Sequence, residues 1–307
     1  MMDPLTTFQN FETGIQQLPT PDHPASPDGS FSFYMKEEEA MEVQAIATRI
    51  VGQGRSKQAL SLTDGRVLMI QNPTSRGLVP SLWSRIVREE TQWSKYLRDQ
   101  GLLVVDSKKV EIRVQPTERA IPAYVCTSFA SLAKRDLYVL DGINHTSSTW
   151  NCDGIEEMTY EERDSSQAQR AFFARKEDHY DPDCWFPLFT SFIDDFQRMN
   201  QLSFFPHPDC LNFAVIAHTT DKIPLAIRPF LFDFSMLFTP LSQPAKRQIK
   251  PLDANELQEK MTWLLRRFFI VIGQSPIFEE VDKKALAHQL AERCWTEYCR
   301  RFSNTVL

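Results

Sequence analysis

Three short apolar runs open the patterned part of the chain. Ala45 to Val51, Gln58 to Leu62 and Arg66 to Gln71 each read as a strand. Gly52-Gln53-Gly54 follows the first run. Thr63-Asp64-Gly65 joins the second to the third, and Asp-Gly is a strong hairpin signal. Pro80 suits the first turn of a helix. Leu82, Ile86, Glu90, Trp93 and Leu97 then recur at helical spacing until Gly101. Val110 to Val114 and Ala123 to Ser128 read as two further strands. Trp185 to Leu202 is an amphipathic helix whose apolar face carries Phe189, Phe192, Ile193, Phe196 and Met199. Phe213 to Ala217 and Ile227 to Phe232 read as strands, and Leu257 to Ile272 and Lys283 to Phe302 as helices.

Two stretches lack an apolar period. Met1 to about Ser30 is rich in Pro, Ser, Thr, Asp and Gln and reads as a flexible leader. The acidic run Glu37 to Glu39 opens a helix-like segment toward Ala45. Asn144 to Asp183 is polar, charged and Ser-rich, and reads as a surface insert. His145, Cys152, His179 and Cys184 fall within or beside it. They offer zinc-ligand chemistry, but at spacings that match no zinc module.

Composition narrows the classes. With 22 Phe and 6 Trp the chain has ample material for cores. A net charge of −6 and a pI of about 5.6 argue against a nucleic-acid binder. No apolar run reaches the length of a membrane span. The first residues, MMDPLTTFQNFETG, lack the basic and apolar regions of a secretory signal peptide. The six cysteines form no CxxC pair and no disulfide framework. The expected location is cytoplasmic, or a host cell reached by a signal-peptide-independent route.

Three segments carry candidate chemistry. Gly52-Gln53-Gly54-Arg55-Ser56-Lys57 lies between two strands, where glycines let backbone approach phosphates. His207-Pro208-Asp209-Cys210-Leu211-Asn212 lies between an amphipathic helix and a strand. Phe232-Asp233-Phe234-Ser235 ends an apolar strand, where a carboxylate can ligate Mg²⁺. Each has an ordinary alternative: a turn, a polar connection, a capping Asp.

In this order and setting the segments resemble the protein-kinase superfamily, including its aminoglycoside- and lipopolysaccharide-kinase branches. The resemblance runs from about Ala45 to Pro240. It implies an α+β, protein-kinase-like two-lobed fold with a strand-rich N-lobe and a helical C-lobe. The boundaries would be a leader at residues 1–40, an N-lobe at 41–128 and a C-lobe at 129–307 carrying the insert at 144–183. It implies ATP bound with Gly52 and Gly54 over its phosphates, Asp209 as catalytic base, and Asn212 and Asp233 as Mg²⁺ ligands. Ala123 to Ser128 would be the strand that meets adenine.

The departures are specific. Asp209 and Asn212 are three positions apart rather than five. Either the loop is shortened or His207 takes the Asp position, and the first keeps an H-x-D element. Leu68-Met69-Ile70-Gln71 has Gln71 where the kinase lysine would stand. The loop's third glycine is replaced by Lys57, which resembles the G-x-G-x-x-K loop of the with-no-lysine kinases. That resemblance implies that Lys57 reaches toward Glu90 and serves as the phosphate cation. The alternative is a solvated lysine on a hairpin. The helix glutamate would be Glu90 or its neighbour Glu89, and Glu90 stands on the apolar helix stripe, where a carboxylate needs a partner.

The function so implied is Mg-dependent transfer of phosphate from ATP to a hydroxyl on a protein or small molecule. The alternative is a pseudokinase or effector-type interaction scaffold. Partners would be a nucleotide and a protein, with no nucleic acid and no membrane span. Limited proteolysis should cut between Asn144 and Asp183 before any other site beyond residue 40. First cleavage within Leu257 to Ile272 would contradict this layout.

Overall fold

The computed structural model describes residues 29–53, 56–72, 80–140, 182–206, 211–219, 224–234, 252–272 and 283–302, with Gln9 and Leu18 as single positions. Two compact units divide the chain. The first holds residues 1–96 and 105–131, the second 97–104 and 132–307.

The first unit is built on strands β1 (Phe31–Glu37), β2 (Val43–Gln53), β3 (Lys57–Leu62), β4 (Arg66–Gln71), β5 (Ser107–Arg113) and β6 (Ile121–Thr127). They close into an antiparallel barrel in the order β1-β2-β3-β4-β6-β5. Period-two alternation decides which residues point inward. Phe33, Met35, Ala47, Leu60, Leu62, Leu68, Ile70, Val110, Ile112, Ala123 and Val125 fill the interior as one core cluster. Each large apolar side chain so buried contributes about 1.5–3 kcal/mol relative to exposure.

The expected two-lobed kinase fold is not what forms. The strand-rich part is a closed six-stranded barrel with a few helices, not the typical kinase arrangement. The cause is β1. It lies inside the stretch read as a flexible leader at residues 1–40, yet it pairs with β2 through Phe31↔Ala47 and with β5 through Tyr34↔Arg113. Each pairing satisfies backbone groups that an open sheet would leave at its edge. Leu18, also in that stretch, is buried in the barrel core. The helix-like reading of Glu37 to Ala45 fails as well. Glu37 ends β1, Ala40 N–H donates to Glu37 C=O at 3.2 Å, Glu39 takes a left-handed φ of 62°, and β2 begins at Val43.

Helix α1 (Pro80–Asp99) packs against the outer face of the barrel. Its buried seam runs through Trp83, Val87, Glu90 and Ser94, at steps of four, three and four. Of the expected stripe Glu90, Trp93 and Leu97 are buried and Ile86 partly so, whereas Leu82 is 40% exposed and Trp83 takes its place. Ser94 holds the following turn by donating to Val105 C=O at 2.5 Å and accepting from Ser107 N–H at 3.1 Å. A short helix α2 (Phe129–Ala133) follows β6. Ser128 Oγ and Ser131 Oγ both donate to Gly65 C=O, at 2.7 and 2.8 Å. Gly65 has φ 81°, so the β3–β4 turn needs a glycine there.

The second unit contains a sheet of β7 (Leu137–Leu140), β8 (Leu211–Ala217) and β9 (Pro224–Leu231) in that order. Its helices are α3 (Pro182–Trp185), a 3₁₀ turn (Phe186–Phe189), α4 (Thr190–Gln201), α5 (Ala254–Ile272) and α6 (Lys283–Phe302). Phe268 of α5 is an aromatic hub. Its ring lies 5.0 Å from Phe189, 5.2 Å from Phe213 and 5.7 Å from Trp185, each edge to face. Asp195 of α4 is fully buried and held by Arg228 of β9, through Nε and Nη2 at 2.7 Å each, and by Arg198 at 2.9 Å. Burial pushes its carboxyl above the usual range although both guanidiniums pull it down. The fork-to-carboxylate geometry fixes α4 on β9.

If β1 closes the barrel, Phe33→Ala should lower unfolding free energy by about 3–5 kcal/mol. Ser32→Ala, on the exposed face of the same strand, should stay within about 0.5 kcal/mol. Denaturant unfolding checks both, and a small loss at Phe33 would contradict the closure.

Candidate functional site

The site begins with the hairpin of β3 and β4. Asp64 accepts from Arg66 N–H at 3.0 Å and Gly65 N–H donates to Leu62 C=O at 3.1 Å, which sets the register. Lys57 then stands opposite Gln71, and Ala59 opposite Met69. Leu60 and Leu62 face the barrel interior, so the odd-numbered Lys57 and Ala59 face outward. On β6, Tyr124 pairs with Met69 and lies on that same outer face.

Helix α1 covers this face. Trp83 donates its indole N–H to Pro122 C=O at 2.7 Å, and its ring stacks on Tyr124 with centroids 6.4 Å apart. Glu90 comes two helical turns after Trp83 and so returns to the same side. There Lys57 Nζ donates to Glu90 Oε1. The Lys57 and Glu90 side chains are 8% and 1% exposed. The ammonium also lies over the Tyr124 ring, 5.7 Å from its centroid. Cys126, two residues on from Tyr124, keeps some residue surface in solvent, but its thiol is desolvated and pushed up to about 12. Burial is the main cause. The Glu90 charge adds to it and Lys57 partly offsets it.

Sequence reasoning placed Lys57 and Glu90 together, and the structure brings them together. Lys57 is 7% exposed and ion-paired, which is not the solvated hairpin lysine of the alternative. Three partners were not anticipated: Trp83, Tyr124 and Cys126. The signal for Trp83 was its position seven residues before Glu90. The signal for Tyr124 was its alternation with Ala123 and Val125, which point inward.

The glycine loop is only partly described. Gly52 lies in β2, paired with Ala59 beside a register shift. A Cβ at Gly52 would meet only the Ala59 Cβ, at an ordinary 3.7 Å, so the fold itself does not demand glycine there. Gly54 and Arg55 lie outside the described residues.

The remaining candidates belong to the second unit. Asn212 lies in β8 opposite Phe230 of β9 and is 2% exposed. Among the described residues its Oδ1 has no hydrogen-bond partner, a state that costs about 1–3 kcal/mol. Asp233 follows the end of β9 and is half-buried with φ 55°. Aspartate is among the residues that tolerate this left-handed conformation. An amide oxygen and a carboxylate are ligand types that a hard cation takes. Asp209 and His207 lie outside the described residues, as do His145, Cys152 and His179.

No protein-family model matches the chain, and no curated protein matches it. Among solved structures the chain is similar to the GDP complex of a point mutant of aminoglycoside 2'-phosphotransferase-IIIa. The identity is 11%, over 84% of this chain and 86% of that one, and the TM-score is 0.21. This is a distant likeness to a phosphotransferase, and at that score it carries no argument about this chain.

The buried pair makes a direct prediction. Lys57→Met strands the Glu90 carboxylate and Glu90→Ala strands the ammonium, so each should cost about 3–5 kcal/mol. The double change Lys57→Met with Glu90→Leu removes both charges and should recover most of that loss. Chemical denaturation of all three variants checks it. Single variants as stable as wild type would remove the pair from the account.

Proposed function

We propose that the chain binds the phosphates of ATP through Lys57 and serves Mg-dependent phosphoryl transfer to a hydroxyl acceptor. The observation that carries this reading is a lysine ammonium withdrawn from water and aimed by a helix carboxylate. A buried lysine–glutamate pair is a poor stabiliser, because an apolar pair of similar volume commonly does as well. A retained buried cation is therefore a functional candidate. Held at low effective dielectric, it attracts phosphate oxygens more strongly than a solvated lysine would. Glu90 keeps the ammonium on the outer face of the barrel.

In the second unit, Asn212 and Asp233 are the residues proposed to hold Mg²⁺. The metal would neutralise phosphate charge. Asp209 is proposed to accept the proton of the attacking hydroxyl. Gly52 and Gly54 are proposed to let backbone approach the phosphates. The acceptor would be a small molecule or a protein.

A second reading is a nucleotide-binding scaffold without transfer, in the manner of a pseudokinase or effector. Gln71 favours it. It stands opposite Lys57 on β4 and supplies no charge of its own.

Calorimetric titration separates these readings. ATP should bind wild type more tightly with Mg²⁺ than without it, and Asp233→Ala should remove that gain. The Lys57→Met/Glu90→Leu double variant should remain folded and lose at least about tenfold in ATP affinity, a difference of about 1.4 kcal/mol. Binding without transfer of labelled phosphate to any acceptor would select the scaffold. Wild-type ATP affinity in the double variant would overturn the proposal.

A further inference from the structure

We propose that Tyr124 is the positioning residue for Lys57, its ring face helping Glu90 to hold the ammonium in place. This rests on the reading of Lys57 as the phosphate cation. It assigns a function to the aromatic residue beneath it.

Three observations carry it. The Lys57 Nζ lies 5.7 Å from the Tyr124 centroid, within the reach of a cation–π contact. The ring is 4% exposed, and desolvation strengthens such a contact. The ring is also fixed: Trp83 stacks on it at an interplanar angle of 29°, and Trp83 is itself tied to the Pro122 carbonyl at 2.7 Å.

The chemistry explains why a ring suits this place. A lysine has four side-chain torsions, and an ion pair at a single oxygen constrains only the distance of its ammonium from that oxygen. A second attractive surface removes the remaining freedom. A second carboxylate would do so too, but it would repel phosphate. The face of a tyrosine ring attracts the cation without adding a full negative charge. Cys126 follows the same logic. Its desolvated thiol stays protonated at neutral pH, so no thiolate competes with a phosphate for Lys57. Tyr124 thus meets the cation with a face that carries no net charge, and Glu90 is its ion-pair partner.

The test varies the ring's electrostatics at nearly constant shape. Tyr124→Phe is prepared in the full chain, followed by phenylalanines with one, two and three ring fluorines at position 124. Fluorination drains the ring face of negative potential while leaving its packing against Trp83 almost unchanged. The readout is the rate at which acetic anhydride acetylates Lys57, followed by mass spectrometry of the Lys57 peptide. Weakening the hold on the ammonium favours the reactive free amine. The rate should rise stepwise, by roughly twofold per fluorine. A flat series would overturn the proposal, because a ring that serves packing alone would show no trend. If the Phe parent fails to fold, the same series is read with fluorotyrosines, which keep the hydroxyl.

ATP affinity across the series keeps the two claims apart. A labelling trend without ATP binding in any variant would retain Tyr124's role and remove the nucleotide reading. ATP binding with flat labelling would do the reverse.

Discussion

Withdrawing an ammonium and a carboxylate from water costs several kcal/mol per ion, and only close pairing recovers it. Lys57 and Glu90 are in that position, so each constrains the other. Helix α1 cannot slide or rotate on the barrel without stranding a charge. A slip of one residue would move Glu90 by about 100° around the helix axis. The apolar contacts of Trp83, Val87 and Tyr124 hold the helix down but tolerate adjustment. The ion pair sets its register. Everything proposed for the outer face of β3, β4 and β6 depends on that register.

The pair depends in turn on the closure of the barrel. Lys57 begins β3, and its outward direction follows from the inward packing of Leu60 and Leu62. Those residues have an interior to fill because β1 bridges β2 and β5. Charged side chains add to this pairing at its rim. Glu37 at the end of β1 meets Arg66, and Arg113 of β5 meets Glu42 at 2.5 Å. These pairs are about one-third exposed or less, and exposed pairs of this kind contribute little to stability. They are consistent with the strand register and do not create it. The apolar alternation of Phe33 and Met35 does.

Much of the local structure was legible in the sequence. Strands β3 and β4 and helix α6 fall where periodicity and turn chemistry place them, because Asp64-Gly65 and a long amphipathic repeat are unambiguous local signals. The eye read β1 as leader because it is short and sits between a Pro-Ser-rich stretch and three glutamates. Its strand character comes from partners in β2 and β5, the latter more than 70 positions away, and no local window contains them. The four-residue β7 was missed for the same reason. Within the site, the Lys57–Glu90 pairing was anticipated from a lysine at a strand start and a glutamate on an apolar stripe. Tyr124 was not, since a tyrosine in a strand reads as packing until a cation is found above its ring. The kinase-like architecture was over-read. Motif order constrains sequence along the chain, whereas closure of a sheet is decided by its edges.

The two units offer evidence of different kinds. In the first unit the charges are already satisfied: Lys57 has Glu90 and a ring face, and the protein needs no ligand to stabilise the arrangement. A ligand there must gain more from the ammonium than Glu90 gives up. In the second unit the balance is unfavourable as it stands. Asn212 has a buried oxygen without a donor, and Asp233 is held in left-handed backbone. Asn212 lies in β8 where it pairs with β9, and Asp233 stands two residues beyond the end of β9. Backbone strain and an unsatisfied oxygen persist in a folded chain only where the surroundings over-determine them, and such features concentrate at binding sites. A cation drawn to those oxygens would relieve the Asn212 deficit directly, since it needs an acceptor and supplies what a missing donor would.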